Sequence, residues 1–121
     1  MTAPHAVQTL MLVDDNPEFL QSAGAMLAEE GFDVVARISD PREVVEEVQR
    51  LRPAVVLVDI HMPVVTGFHV ARLLAELDEP PIVFLISSRD AASFGDELMA
   101  APVRGFISKR ELSGHALASI L

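Results

Sequence analysis

The run Ala54-Val55-Val56-Leu57-Val58-Asp59 constrains this chain more than any other stretch. Its consecutive aliphatic residues follow the boundary at Pro53 and leave no polar face for water. They form a strand buried on both sides, the kind that lies inside a parallel sheet. A sheet of that kind needs helices on both faces. The run also ends on a carboxylate, so Asp59 is delivered to the carboxyl edge of the sheet. An ionised group there needs a partner, a metal or water to offset its lost hydration.

The remainder of the chain supplies the matching alternation. Thr9 to Val13 reads as a short strand ending at Asp14-Asp15, and Asn16-Pro17 gives a helix cap followed by proline at the first helical position. That helix runs to about Glu30 with Leu20, Ala23 and Leu27 inward, and Gly31 stops it. Phe32 to Ile38 is the second strand. Asp40-Pro41-Arg42-Glu43 opens the next helix, Val44, Val48 and Leu51 form its buried stripe, and Pro53 closes it. Helical spacing returns from Phe68 to Leu77 through Val70, Leu73, Leu74 and Leu77. Ile82 to Ile86 is a second strand apolar throughout, ending at Ser87-Ser88. Asp90 to Ala100 is a weak helix, with Gly95 inside it and only Phe94 and Leu98 apolar. Val103 to Ile107 is the last strand. A terminal helix of about two turns starts near Ser113, with Ala116, Leu117, Ile120 and Leu121 on one side.

Five alternations of this kind predict an α/β fold, a doubly wound five-stranded parallel sheet with helices on both faces. The functional crevice of such a sheet lies beyond the carboxyl ends of its strands. Asp14, Asp15, Asp59 and Ser87 all fall at that end. Three carboxylates brought to one edge raise each other's pKa unless a cation is present. A hard divalent ion such as Mg²⁺ relieves this with one or two direct carboxylate contacts. Lys109, after the fifth strand, is the only lysine in a chain whose other basic residues are arginine. A compact ammonium acts as a point charge where guanidinium is a planar fork, which suggests a site that needs the ammonium.

Composition narrows the function further. A chain of 121 residues corresponds to one domain, here expected over residues 9–121 behind a mobile polar start at 1–8. The absence of cysteine removes disulfides, thiolate catalysis and cysteine-ligated zinc. A net charge of −9, with no basic cluster and no tryptophan or tyrosine, argues against direct nucleic acid binding. No apolar run has the length of a membrane span, and a cytoplasmic location without membrane contact is expected.

Taken in order, Asp14-Asp15, Asp59, Met62-Pro63 with Gly67, Ser87, Phe106 and Lys109 resemble the motifs of receiver domains of two-component response regulators, from about Thr9 to Leu121. The resemblance implies a flavodoxin-like, CheY-like (βα)5 fold with strand order 2-1-3-4-5. It implies that Asp59 accepts a phosphoryl group from a sensor histidine kinase or a histidine phosphotransfer protein. Asp15, Asp59 and the backbone carbonyl of His61 would bind Mg²⁺, or Mn²⁺ in its place, with Asp14 acting mainly through a bound water. Lys109 would pair with the phosphoryl group. Ser87 would donate a hydrogen bond to it, and Phe106 would turn into the core, changing the face of helix four, strand five and helix five. His61 and Arg89 would tune dephosphorylation. A homodimer formed on phosphorylation is one implied output, and the chain would catalyse its own modification without being a turnover enzyme.

Departures from the pattern are Arg110 where proline usually follows the lysine, Ala101-Pro102 after helix four, phenylalanine in place of tyrosine at 106, and the short last helix. A flavodoxin-like mononucleotide binder would need a Ser/Thr/Gly-rich loop where Asp14-Asp15-Asn16-Pro17 stands. A small phosphatase of the same layout would need aspartates two apart, whereas Asn16 follows Asp14 by two. A two-carboxylate glycosidase lacks a sugar groove and its aromatic lining. A receiver used only as an interaction module would have lost an acid or the lysine. A stand-alone receiver is expected ahead of the N-terminal receiver of a longer, DNA-binding regulator.

Overall fold

The computed structural model describes residues 8–121, so most of the mobile start expected at 1–8 lies outside the described residues. Gln8 is inside them, and its carbonyl accepts the Asp33 N–H at 2.9 Å. Five strands, β1 (Thr9–Val13), β2 (Asp33–Ile38), β3 (Val55–Asp59), β4 (Ile82–Ser87) and β5 (Gly105–Ser108), form one sheet in the order β2-β1-β3-β4-β5. Every pairing is parallel. The doubly wound parallel sheet predicted from the sequence is the one observed, in the strand order that the resemblance implies.

Alternation along the strands splits the core in two. Met11, Val13, Val56, Val58, Val83 and Leu85 face α2 (Val44–Leu51) and α3 (Gly67–Ala75), joined by Leu98 of α4 (Asp96–Ala100). Leu10, Leu12, Leu57, Phe84 and Ile86 face α1 (Pro17–Glu29) and α5 (Gly114–Ile120). All five residues of β3 are buried, as a central strand covered on both faces requires. No helix among the described residues is long and apolar enough to cross a membrane.

Local chemistry sets the boundaries. The Asn16 carboxamide oxygen accepts from the backbone N–H groups of Glu18 and Phe19, and Pro17 follows at the first helical position. The helix expected from Asp40 begins instead as a 3₁₀ turn, Pro41–Glu43, before α2. There the Asp40 carboxylate accepts from both the backbone and the guanidinium of Arg42. Arg52 ends α2 in the left-handed conformation, and Pro53 after it disfavours any continuation of the helix.

Several expected details differ. The weak helix at 90–100 is broken: a 3₁₀ turn over Ala91–Ser93 is followed by Gly95 at φ +56°, and only Asp96–Ala100 is α-helical. Glycine takes that dihedral without the steric cost other residues meet. The last strand begins at Gly105 rather than Val103, and α3 ends at Ala75 rather than Leu77. Leu73 and Ile120, read as core-facing, are exposed at the margins of their helices.

Gly67 ties the fold to the functional edge. A Cβ at this position would collide with the Asp59 carbonyl and lie 2.8 Å from Ile60 Cα, so α3 begins against the backbone that ends β3. In an open helix, glycine to alanine gains about 1 kcal/mol. Overpacking typically costs about 1–3 kcal/mol, and here the obstacle is backbone that cannot rotate away. Gly67→Ala is therefore expected to lower unfolding stability by about 1–2 kcal/mol in urea titration. A stabilised variant would contradict the close approach.

Candidate functional site

Strand register assembles the site. β1 and β3 pair Leu12 with Leu57 and Val13 with Val58, so one further step sets Asp14 beside Asp59. On the other side β3 pairs Asp59 with Ile86, and β4 pairs Ser87 with Ser108. The ladder continues past β5 through a hydrogen bond from Lys109 N–H to the Ser87 carbonyl at 2.8 Å. Four loops from adjacent strands thus meet at one edge.

The side chains converge as the strands do. Carboxylate oxygens of Asp14, Asp15 and Asp59 lie within 4.8 Å of one another. Asp14 and Asp59 are buried, and Asp15 is exposed. The Lys109 ammonium stands 2.6 Å from Asp14 Oδ2 and 3.6 Å from Asp59 Oδ1. Asp14 Oδ1 accepts the Asn16 N–H at 2.9 Å, while Oδ2 receives no hydrogen bond among the described residues and faces the ammonium charge. Three carboxylates against one ammonium leave two uncompensated negative charges. Burial pushes the Asp59 carboxyl up to about 6. Repulsion from Asp14 and then Asp15 adds to that rise, and Lys109 works against it.

This donor set fits a divalent cation. It consists of oxygen atoms only and carries excess negative charge, the conditions under which a hard ion replaces mutual repulsion with attraction. One of the three carboxylates is exposed, leaving a side open to solvent where such an ion keeps its waters.

The remaining candidates ring the acidic cluster. Ser87 is fully buried, and its Oγ accepts the Arg89 N–H at 3.0 Å. That bond uses an acceptor site, so the hydroxyl hydrogen remains to donate. The Arg89 side chain is exposed. His61 is exposed too, yet its ring lies 5.4 Å from that of Phe94. Phe94 in turn lies 5.9 Å from Phe68 and 6.0 Å from Phe106, which is half-buried. Arg110, at the position after the lysine where the resembled pattern usually has proline, pairs with Asp90 at 2.6 Å on the surface. The Lys109–Arg110 peptide is trans. Two residues at the site were not singled out from the sequence. Phe94 links the ring of His61 to that of Phe106, and Phe19 holds its ring 4.4 Å from the Lys109 ammonium. The signal for Phe19 was its place in the first turn of α1, a few residues after the acidic pair.

Comparison with known proteins gives the family and the fold. A family model described as the response regulator receiver domain matches residues 10–120. The DNA-binding transcriptional activator EvgA of Escherichia coli (strain K12) is 24% identical over 110 residues, covering 91% of this chain and 54% of that protein. The chain thus spans about half the length of the curated relatives it matches first. The chemotaxis response regulator CheY4 of Vibrio cholerae superposes with a TM-score of 0.82 at 21% identity, covering 96% of this chain and 100% of that one. A DNA-binding response regulator of the LuxR family from Staphylococcus aureus gives a TM-score of 0.83 at 17% identity, covering 94% and 96%.

The raised Asp59 pKa has a stability consequence of definite sign. Because the folded value, about 6, exceeds the ordinary 3.8, the folded state holds a proton that the unfolded state has released. Ionising Asp59 therefore removes stability as pH rises from about 4 to about 6, and the loss is complete above that window. In metal-free buffer Asp59→Asn is expected to be more stable than the wild type at pH 7.5, by on the order of 2–3 kcal/mol. The difference should vanish near pH 4. Chemical unfolding of both proteins at the two pH values measures it, and an equal difference at both would contradict the assignment.

Proposed function

The chain belongs to the response regulator receiver family, and we propose that in it Asp59 is the phospho-acceptor, taking a phosphoryl group from the histidine of a sensor kinase or a phosphotransfer protein. The observation that carries this reading is the cluster of Asp14, Asp15 and Asp59 within 4.8 Å, with one ammonium reaching two of the three.

An Asp59 carboxylate oxygen would attack phosphorus, the nitrogen–phosphorus bond would break with its electron pair leaving on the imidazole, and an acyl phosphate would form. Even without a cation, where its pKa is raised to about 6, the attacking carboxylate is mainly ionised at pH 7. Phosphoryl transfer depends mainly on positioning and on charge placed against the phosphoryl oxygens. Mg²⁺, or Mn²⁺ in its place, would be held by Asp15, Asp59 and the backbone carbonyl of His61 and would supply part of that charge. Asp14, already committed to Asn16 and Lys109, would stay outside the direct set. Lys109, standing off Asp59 by 3.6 Å, would meet the transferred group. Ser87 would donate its hydroxyl hydrogen to a phosphoryl oxygen, drawing the loop after β4 inward and opening space for Phe106 to turn inward. His61 and Arg89, exposed at the rim, would regulate the water that hydrolyses the acyl phosphate.

The output would be read from the face formed by α4, β5 and α5, by a downstream protein or by a second copy of the chain. A net charge of −9 makes direct contact with DNA by this domain unfavourable, so any DNA-directed activity would belong to another domain or partner. Transfer of this kind is a cytoplasmic event and a self-limited covalent change, not turnover of a substrate.

Incubation with acetyl phosphate and Mg²⁺, followed by intact-mass measurement, should show a gain of one phosphoryl group that Asp59→Asn abolishes. Folded wild-type protein that gains nothing would refute the reading. Lys109→Arg should impair the conformational response although the charge is kept, because a planar fork cannot reproduce the point contact. A response equal to wild type, measured by backbone NMR shifts after phosphorylation, would count against the assigned role of Lys109.

A further inference from the structure

We infer that Phe19 is a positioning residue for Lys109: its ring face and the Asp14 carboxylate together form a seat that fixes the ammonium against Asp59. The inference rests on the reading above, in which Lys109 serves the chemistry at Asp59, and it adds what holds Lys109 there.

A lysine side chain carries a long flexible stem and about 2 kcal/mol of rotamer entropy. Its ammonium reaches a defined point only if more than one side of it is held. Here the ammonium lies 2.6 Å from Asp14 Oδ2 without a hydrogen bond of acceptable geometry to it, and 4.4 Å from the centroid of the Phe19 ring. A cation over an aromatic face is attracted by the ring quadrupole, and more strongly where water is excluded. Lys109 is 19% exposed, so the ring takes the place of water that would otherwise solvate the charge.

The ring is itself fixed. Phe19 is in the first turn of α1, its N–H reaches the Asn16 cap, and its side chain packs against the core cluster of the α1 and α5 face. Asp14 belongs to the same turn of chain, since its Oδ1 accepts the Asn16 N–H. Both halves of the seat therefore come from the stretch Asp14–Phe19, and they move together or not at all.

An aromatic face does this without neutralising the ammonium. A further carboxylate in the place of Phe19 would compete with Asp59 and with an incoming phosphoryl group for the same protons. The ring accepts no proton and adds no formal charge, so the ammonium keeps its full charge for the reacting oxygens while standing 3.6 Å from Asp59. The seat also accounts for lysine at this position in a chain otherwise rich in arginine. A guanidinium tends to stack flat on an aromatic face, and its donors would then lie along the ring rather than point to Asp59.

Lys109 is the only lysine, so protein grown with ¹³C,¹⁵N-lysine carries a single set of lysine side-chain resonances. In the wild type the Lys109 ε-CH₂ protons should be displaced upfield by the ring current, and Phe19→Leu should return them to the position of free lysine. With acetyl phosphate and Mg²⁺, Phe19→Leu should slow phosphorylation about 3- to 30-fold. Phe19→Trp and Phe19→Tyr should stay within about twofold of wild type, because both keep a ring face. Site-specific replacement of Phe19 by mono-, di- and trifluorophenylalanine, which weakens the quadrupole at nearly constant shape, should lower the rate stepwise. A purely structural role for Phe19 would leave the fluorinated series flat, and a flat series overturns the inference. An undisplaced Lys109 signal in wild type also overturns it, whatever the phosphorylation result. A displaced signal in a protein that takes up no phosphoryl group would support the seat and overturn the functional reading instead.

Discussion

Three carboxylates are held together at the carboxyl edge of a sheet, and one ammonium cannot offset them all. The register of β1 with β3 brings Asp14 beside Asp59, the turn after β1 adds Asp15, and the loop after β5 returns Lys109. Isolated, none of these groups would be unusual. Held at this distance with two of the acids buried, they create an electrostatic deficit that the fold itself sustains. The hydrophobic core makes that tolerable: burial of β3 and β4 on both faces stabilises by far more than the excess charge costs.

Aromatic residues link the edge to the neighbouring elements. His61, two residues beyond Asp59, leans on Phe94, and Phe94 also approaches Phe106 and Phe68. The rings connect the loop after β3, the segment leading to α4, β5 and α3. Rings at separations of 5–6 Å and tilted angles are in the range where aromatic pairs attract beyond their buried area. Displacement of one of them therefore has a direct packing consequence for the next.

Most of the fold was legible because two strands admit no alternative. Val55–Val58 and Ile82–Ile86 have no polar face, so they had to be central and parallel, and Asp59 and Ser87 then had to emerge at one edge. The acidic cluster and the lysine were legible for the same reason: they follow strand ends directly. What periodicity could not convey was how far the core extends. Leu73 and Ile120 have the spacing of their helices' apolar sides yet are 39% and 41% exposed, at the margin of the core rather than inside it. Gly95 was visible as a weakness in a helix, but its positive φ, which splits that helix, depends on the packing of Phe94 before it and Leu98 after it. Phe19 escaped because its partner is a distant residue of the chain, and helical spacing had already assigned Leu20, Ala23 and Leu27 to the inner face.

The break at Gly95 leaves α4 with only Asp96–Ala100, no side-chain cap at its start, and Met99 86% exposed. A helix this short cannot sustain itself by its own hydrogen bonds. Its order is borrowed from Leu98, and from Phe94 just before the break, packed on the core. The segment therefore sits at the low end of the local stability scale, where opening requires much less free energy than global unfolding. In thermodynamic terms, α4 depends on those two contacts more than on its own hydrogen bonds. An event at the acidic edge that favours its docked or released form by about 1.4 kcal/mol would change the ratio of the two tenfold, with no need to push a helix through space.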